Sequence, residues 1–223
     1  MGTAHTAEAL LQATAAELAP HAGDNPFVPK VEQGTASRAA LAALALEQHH
    51  VIASDQRAFA HLAERSTARG ESACAAFFGS LADGEEIAAG HLDALSAALG
   101  LDAAAIGAYE TEPGCQAYPS YVARLALTAR PPEAVLALSA NFAAWGGYCA
   151  RISGGLRAHY GLGEEARAFF DFFAAPAPDL DEQAVAAVRA GLDSGLDVAM
   201  AYRSGRLLQS YESMFWSTLA ERP

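Results

Sequence analysis

Cysteine is scarce: Cys74, Cys115 and Cys149 are the only three in 223 residues, and no two form a C-x-x-C pair. An odd, widely spaced set offers neither a disulfide framework nor a zinc-binding frame, and implies reduced thiols in a cytoplasmic protein. Positive charge is also short. Fourteen Lys and Arg stand against 26 Asp and Glu, a formal net charge of −12. With no basic stripe, nucleic acid and anionic membrane are excluded as main partners. Charge or glycine interrupts every apolar run before membrane-spanning length, so a soluble protein is expected. The opening MGTAHTAEALLQATAAEL lacks a cationic region followed by an apolar one and does not read as a signal peptide. Val and Ile are sparse and Thr is scattered, which disfavours strands.

What is present is alanine and helical periodicity. Hydrophobic residues make up 52% of the chain and charged ones 18%, a balance suited to helices buried over more than half their circumference. The pattern predicts an all-α single domain over 1–223, a bundle of about seven to eight helices. A first helix starts at the cap Thr6 and ends near Leu18, before Pro20. His21–Gly34 reads as irregular, because Pro26 and Pro29 lie close together. A long helix follows from Thr35 or Ser37 to about Arg65. Two shorter helices, Glu71–Ala82 and Glu85–Leu99, are expected to meet at Asp83-Gly84. Ala103–Gln116 reads as a loop with one helical turn, and a helix begins near Pro119. Further helices are expected over Pro132–Tyr160, Glu164–Phe173, Asp181–Leu192 and Val198–Glu221.

The terminal helix carries Tyr211-Glu212-Ser213-Met214-Phe215-Trp216. Helical spacing puts Leu208, Glu212, Phe215 and Leu219 on one face, with Tyr211 and Trp216 at its edges. A carboxylate in such a stripe needs donors or a cation, or its pKa rises. Glu212 is therefore a candidate anchor or general acid/base, with a structural carboxylate as the alternative. In the long helix, Gln48 and Asp55 break an otherwise apolar stripe, and Glu47-Gln48-His49-His50 lies beside the break. His49 is a candidate for proton transfer. Trp145, Tyr148, Phe173 and Phe215 suit a flat ligand or an ordinary core, and Asn141 offers a neutral donor and acceptor one turn before Trp145. Gly146-Gly147 and Gly154-Gly155 suggest close approach of a neighbour. Cys149 reads as an inert thiol unless a base such as His49 packs against it. Glu47 with His50, and Glu86 with His91, form an alternative set for iron. However, the five-residue spacing of the second pair does not keep to one helix face.

Taken in order, these segments resemble the TenA/thiaminase II family of the haem-oxygenase-like superfamily, related to pyrroloquinoline-quinone synthase. The resemblance runs over about 25–223, with 1–24 as an N-terminal helix and linker. Its carriers are Asn25-Pro26-Phe27-Val28…Gly34-Thr35, Glu47-Gln48-His49-His50, Glu86…His91…Gly100, Tyr118…Tyr121, Asn141–Cys149 and the Tyr211–Trp216 motif. Family members that salvage thiamin fragments hydrolyse an exocyclic C–N bond on an aminopyrimidine held inside the bundle. The resemblance assigns Glu212 to the pyrimidine and its protons, and Phe215 to stacking. Gln48 matches, but His49 stands where the family has an aspartate and Ile52 where it has a tyrosine. The family's Pro-Cys nucleophile is missing; Asn141 or Trp145 takes the cysteine's place, and Cys149 falls at or beside a tyrosine's.

The sequence thus leads to a binder of a small, flat nitrogen heterocycle, possessing acid/base C–N hydrolysis if it is an enzyme. Glu212 and His49 are the catalytic candidates. Phe215, Trp145, Asn141, Tyr148, Cys149, Gln48, Tyr211 and Phe173 are the ligand-binding candidates. No cofactor is expected. The alternatives are an oxidative enzyme of the same superfamily, cofactorless or di-iron, and a non-catalytic binding or regulatory protein. A homodimer or homotetramer is implied by the apolar excess and the resemblance.

Overall fold

Side-chain caps set four of the helix starts. Thr6, Ser37, Asp102 and Asp197 each accept a hydrogen bond from the backbone N–H three residues on, at 2.8–3.2 Å. In the computed structural model, which describes residues 6–21 and 23–222, they open α1 (Ala7–Glu17), α3 (Arg38–Ala68), α5 (Ala103–Ala108) and α10 (Val198–Ala220). The others are α2 (Phe27–Glu32), α4 (Ser72–Ala98), α6 (Pro113–Thr128), α7 (Pro131–His159), α8 (Glu164–Ala174) and α9 (Pro178–Asp193). No strand occurs among the described residues. Eight of these helices have 11 residues or more, while α2 and α5 have six each. The all-α bundle is as expected.

Three local expectations are corrected. Pro26 and Pro29 do not exclude a helix; they sit at the cap and third position of α2, where backbone N–H groups have no helical partner to lose. Asn25 Oδ1 accepts from the Val28 N–H at 3.0 Å and caps the turn. Asp83-Gly84 does not divide α4, because Leu81, Ala82, Glu85 and Ala88 bury one continuous face. Propensity yields there to packing. Finally, α6 begins at Pro113, and Pro119 lies inside it, buried. The first-turn role assigned to Pro119 belongs to Pro113.

Two apolar clusters fill the bundle. One gathers Phe27, Leu44, Ile52, Phe169, Phe170 and Trp216; the other gathers Phe59, Phe77, Phe78, Val122, Leu136 and Leu208. Tyr118 of α6 packs against both, at the seam where α3, α6, α7 and α10 converge. No helix of the described residues is long and apolar enough to cross a membrane.

The paired glycines of α7 are not equivalent. A β-carbon at Gly155 would stand 2.5 Å from Val31 O of α2, and one at Gly146 would stand 3.1 Å from Phe173 O, whereas Gly147 and Gly154 have nothing within 4 Å. Close approach thus accounts for one glycine of each pair. Gly155→Ala is expected to lower unfolding free energy by about 2 kcal/mol or more, since backbone must yield. Gly147→Ala on the exposed face should raise it by about 0.5–1 kcal/mol. Urea denaturation of the two variants checks the pair, and equal effects would refute this packing account.

Candidate functional site

Four helices deliver polar side chains to one interior cavity of about 1120 Å³. On α3 the wall residues are Gln48, Val51, Ile52 and Asp55, the i, i+3, i+4, i+7 positions of a single face. Glu85 comes from α4, Tyr118 from α6, and Asn141 and Trp145, one turn apart, from α7. Glu212, Phe215 and Trp216 come from α10, and Phe172 and Phe173 from the end of α8. The outer rim is formed by Glu8, Leu11 and Gln12 of α1 and by the turn from Ala174 to Asp181.

Glu212 is 7% exposed and holds both oxygens in use. Asn141 Nδ2 donates to Oε2 at 2.6 Å, and Trp216 Nε1 donates to Oε1 at 3.2 Å. Asn141 in turn accepts from the Tyr118 hydroxyl at 3.1 Å, which fixes which way its amide points. The result is a relay, Tyr118 to Asn141 to Glu212, joining α6, α7 and α10. Burial pushes the Glu212 pKa up to about 7, partly countered by the Trp216 and Asn141 hydrogen bonds. Near neutral pH this carboxyl therefore exists in both protonation states, the condition for a general acid/base.

The wall beside it is aromatic. Trp145 and Trp216 stack at 5.9 Å and 27°, Phe173 meets Trp145 edge-on at 5.6 Å, and Phe215 meets Trp216 edge-on at 5.0 Å. No cysteine lines the cavity. Cys74, Cys115 and Cys149 are buried free thiols whose pKa values are raised first by burial.

Six of the ten catalytic and ligand-binding candidates meet here: Glu212, Phe215, Trp145, Asn141, Phe173 and Gln48. The other four lie elsewhere. His49 is about 100° around α3 from Gln48, where its Nε2 shares a hydrogen bond with Ser96 Oγ at 2.9 Å. Burial lowers its pKa. Gln48, not its neighbour, holds the cavity position of that pair. Tyr148 packs edge-on against Trp216 at 5.6 Å and lines a separate groove with Asn25 and Arg151. Cys149 is fully buried in the core, and Tyr211 packs on Tyr121 at 5.2 Å.

The alternative iron set does not assemble. Glu47 accepts from Tyr109 Oη, Glu112 N and Gln116 Nε2 at 2.6–2.8 Å. His50 faces the Tyr109 ring, Glu86 is exposed, and His91 faces Phe172. No group of three or more His, Cys, Asp or Glu placed to hold a metal occurs among the described residues.

Sequence reasoning missed Asp55, Glu85 and Tyr118 as site residues. Asp55 is 3% exposed and Glu85 is 8% exposed. Burial drives both carboxyls well above their usual range, and Glu85 is raised further by Asp55. A signal for Asp55 did exist, as a polar break seven residues after Gln48 on an apolar stripe. Glu85 was hidden behind the Asp83-Gly84 punctuation.

A raised carboxyl pKa costs stability as the group ionises. The unfolded chain ionises near the ordinary value and the folded one near 7, so Glu212 should erode stability as pH rises through that window. Glu212→Gln removes the proton linkage but turns an N–H toward one of the two donors. The variant should be the less stable at pH 5, and the gap should narrow by up to about 3 kcal/mol by pH 8. Urea unfolding at the two pH values measures it, and a gap independent of pH would contradict the assigned burial.

The haem-oxygenase-like fold is shared with solved structures. A TenA homologue from P. horikoshii OT3 superposes with a TM-score of 0.71 at 17% identity, covering 96% of this chain and 98% of that one. A domain of unknown function with a heme oxygenase-like fold from Shewanella denitrificans gives 0.71 at 14% identity, over 95% and 89% of the two chains. A TenA family transcription regulator from Silicibacter gives 0.69 at 17% identity, over 96% and 97%. No curated protein matches the chain. The family model described as TENA/THI-4/PQQC matches residues 13–204, and the protein belongs to that family.

Proposed function

We propose that the cavity binds a small, flat nitrogen heterocycle of the aminopyrimidine type, and that Glu212 is the group that grips and protonates it. The carrying observation is a carboxyl with a pKa of about 7, held by two donors beside an aromatic wall. A ring nitrogen next to an exocyclic amine presents one acceptor and one donor. A half-protonated carboxyl answers both. Asn141 keeps Glu212 aimed, Tyr118 keeps Asn141 aimed, and Trp145 and Phe215 provide faces for the ring.

If chemistry follows, it is hydrolysis of an exocyclic C–N bond in which Glu212 delivers a proton to the departing amine. The wall offers no thiol, so the water attacks without a covalent enzyme intermediate. The same lack of a nucleophile supports the second reading, a protein that binds such a ring without turnover.

Both tryptophans of the chain line the cavity, so their fluorescence reports occupancy directly. Titration with a 4-aminopyrimidine should quench it saturably, and Glu212→Gln should weaken binding at least about tenfold, the loss of one charge-assisted contact. Amine release from a 5-aminomethyl-4-aminopyrimidine should vanish in Glu212→Gln and persist in Cys149→Ser. An absence of saturable quenching in the wild type defeats the binding reading. Loss of turnover in Cys149→Ser defeats the proposed route.

A further inference from the structure

Glu212 is provided for; the other two deep carboxyls of the cavity are not. Asp55 Oδ1 and Glu85 Oε2 have no hydrogen-bond partner, although their residues are only 3% and 8% exposed. Ser139 Oγ and Gln183 Oε1, on the same cavity, are likewise unpartnered. Three of these four atoms only accept hydrogen bonds once the carboxyls are ionised, and no donor is supplied to them. Buried acceptors of this kind cost stability unless something occupies them, and an apolar pair would serve a core better. The wider wall agrees in sign. Glu8, Asp83, Asp179 and Asp181 stand along it, and no Lys, Arg or His does.

We propose that Asp55 and Glu85 form a second subsite in this cavity, which takes a primary ammonium group carried by the ring-bearing ligand. An ammonium brings three N–H donors and no acceptor, which complements orphaned oxygens converging from α3 and α4. Its charge offsets the mutual repulsion that an ionised pair creates in a dry site. Around the subsite the remaining titratable groups are Tyr118 of α6 and Glu212 of α10, neither of which supplies a competing cation. The substrate class becomes an aromatic heterocycle with a cationic amine arm, and phosphorylated or carboxylated ligands are rejected by like charge. This inference rests on the reading that the cavity seats an aromatic ring.

The test uses matched probes: benzene, indole and 4-aminopyrimidine rings, each with an aminomethyl, a hydroxymethyl or a carboxylate arm, titrated by tryptophan fluorescence. The aminomethyl member of at least one set should bind about tenfold or more tighter than its hydroxymethyl partner, with the carboxylate weakest. Asp55→Asn/Glu85→Gln should remove that preference and leave hydroxymethyl binding unchanged. Glu85→Gln alone, with its fold checked by circular dichroism, should remove part of it. Glu212→Gln should weaken both arms and keep their ratio. Equal binding of aminomethyl and hydroxymethyl probes, or a preference that survives the double substitution, overturns the subsite while the ring reading stands. No binding by any probe fells the ring reading and this one with it.

Discussion

A carboxyl group carried into an apolar interior has to be given donors, and the way Glu212 receives them ties the centre of the bundle together. One donor comes from its own helix, Trp216 a turn later, and the other from Asn141 on α7. Asn141 is a competent donor only because Tyr118 of α6 occupies its oxygen. Three helices are thereby registered against one another through a single charge. The relay lies at the seam of the two apolar clusters, where side chains on opposite sides do not close the gap. The cavity and the relay have one origin: a polar seam between two dry cores cannot be filled by aliphatic side chains without stranding the groups that line it.

Helix α3 shows two contrasting treatments of a buried acid. Glu47 is wholly buried, yet Tyr109, Glu112 and Gln116 complete its hydrogen bonds, and Glu112 and Tyr109 are joined by Arg222 from the chain end. That network fastens α5 and α6 to α3 and has no opening to the cavity. Two turns on, Asp55 is as deeply buried and has nothing assigned to one of its oxygens. Burial alone therefore does not separate structure from function in this protein; the completeness of the hydrogen bonding does.

The all-α architecture was legible because alanine content, caps and apolar periodicity all agree on helix. Glu212 and Phe215 were legible for a sharper reason: a charge within an apolar aromatic face is an inconsistency that calls for a site. The same logic applied to Gln48 and Asp55, but attention fell on His49, whose chemistry is more suggestive and whose direction is wrong. One residue along a helix is 100° around it, so neighbours in sequence face different surroundings. Tyr148, Cys149 and Tyr211 were drawn in by adjacency in the same way. Glu85 could not be read at all, since Asp83-Gly84 looked like a helix end and only the packing of α4 shows otherwise. The prolines misled for a related reason: Pro26, Pro29 and Pro113 open helices instead of preventing them.

The turn between α8 and α9 forms part of the cavity's rim with Ala174, Ala175, Pro176, Ala177 and Pro178. Two prolines two residues apart hold that turn to narrow torsions, and alanines give it no long side chain to swing. Such a doorway admits or refuses by fixed dimensions. It selects as a sieve does and has little capacity to fold over an occupant and seal it from water. The dryness that a buried acid needs must then come from the occupant itself, whose flat hydrophobic body has to act as its own stopper.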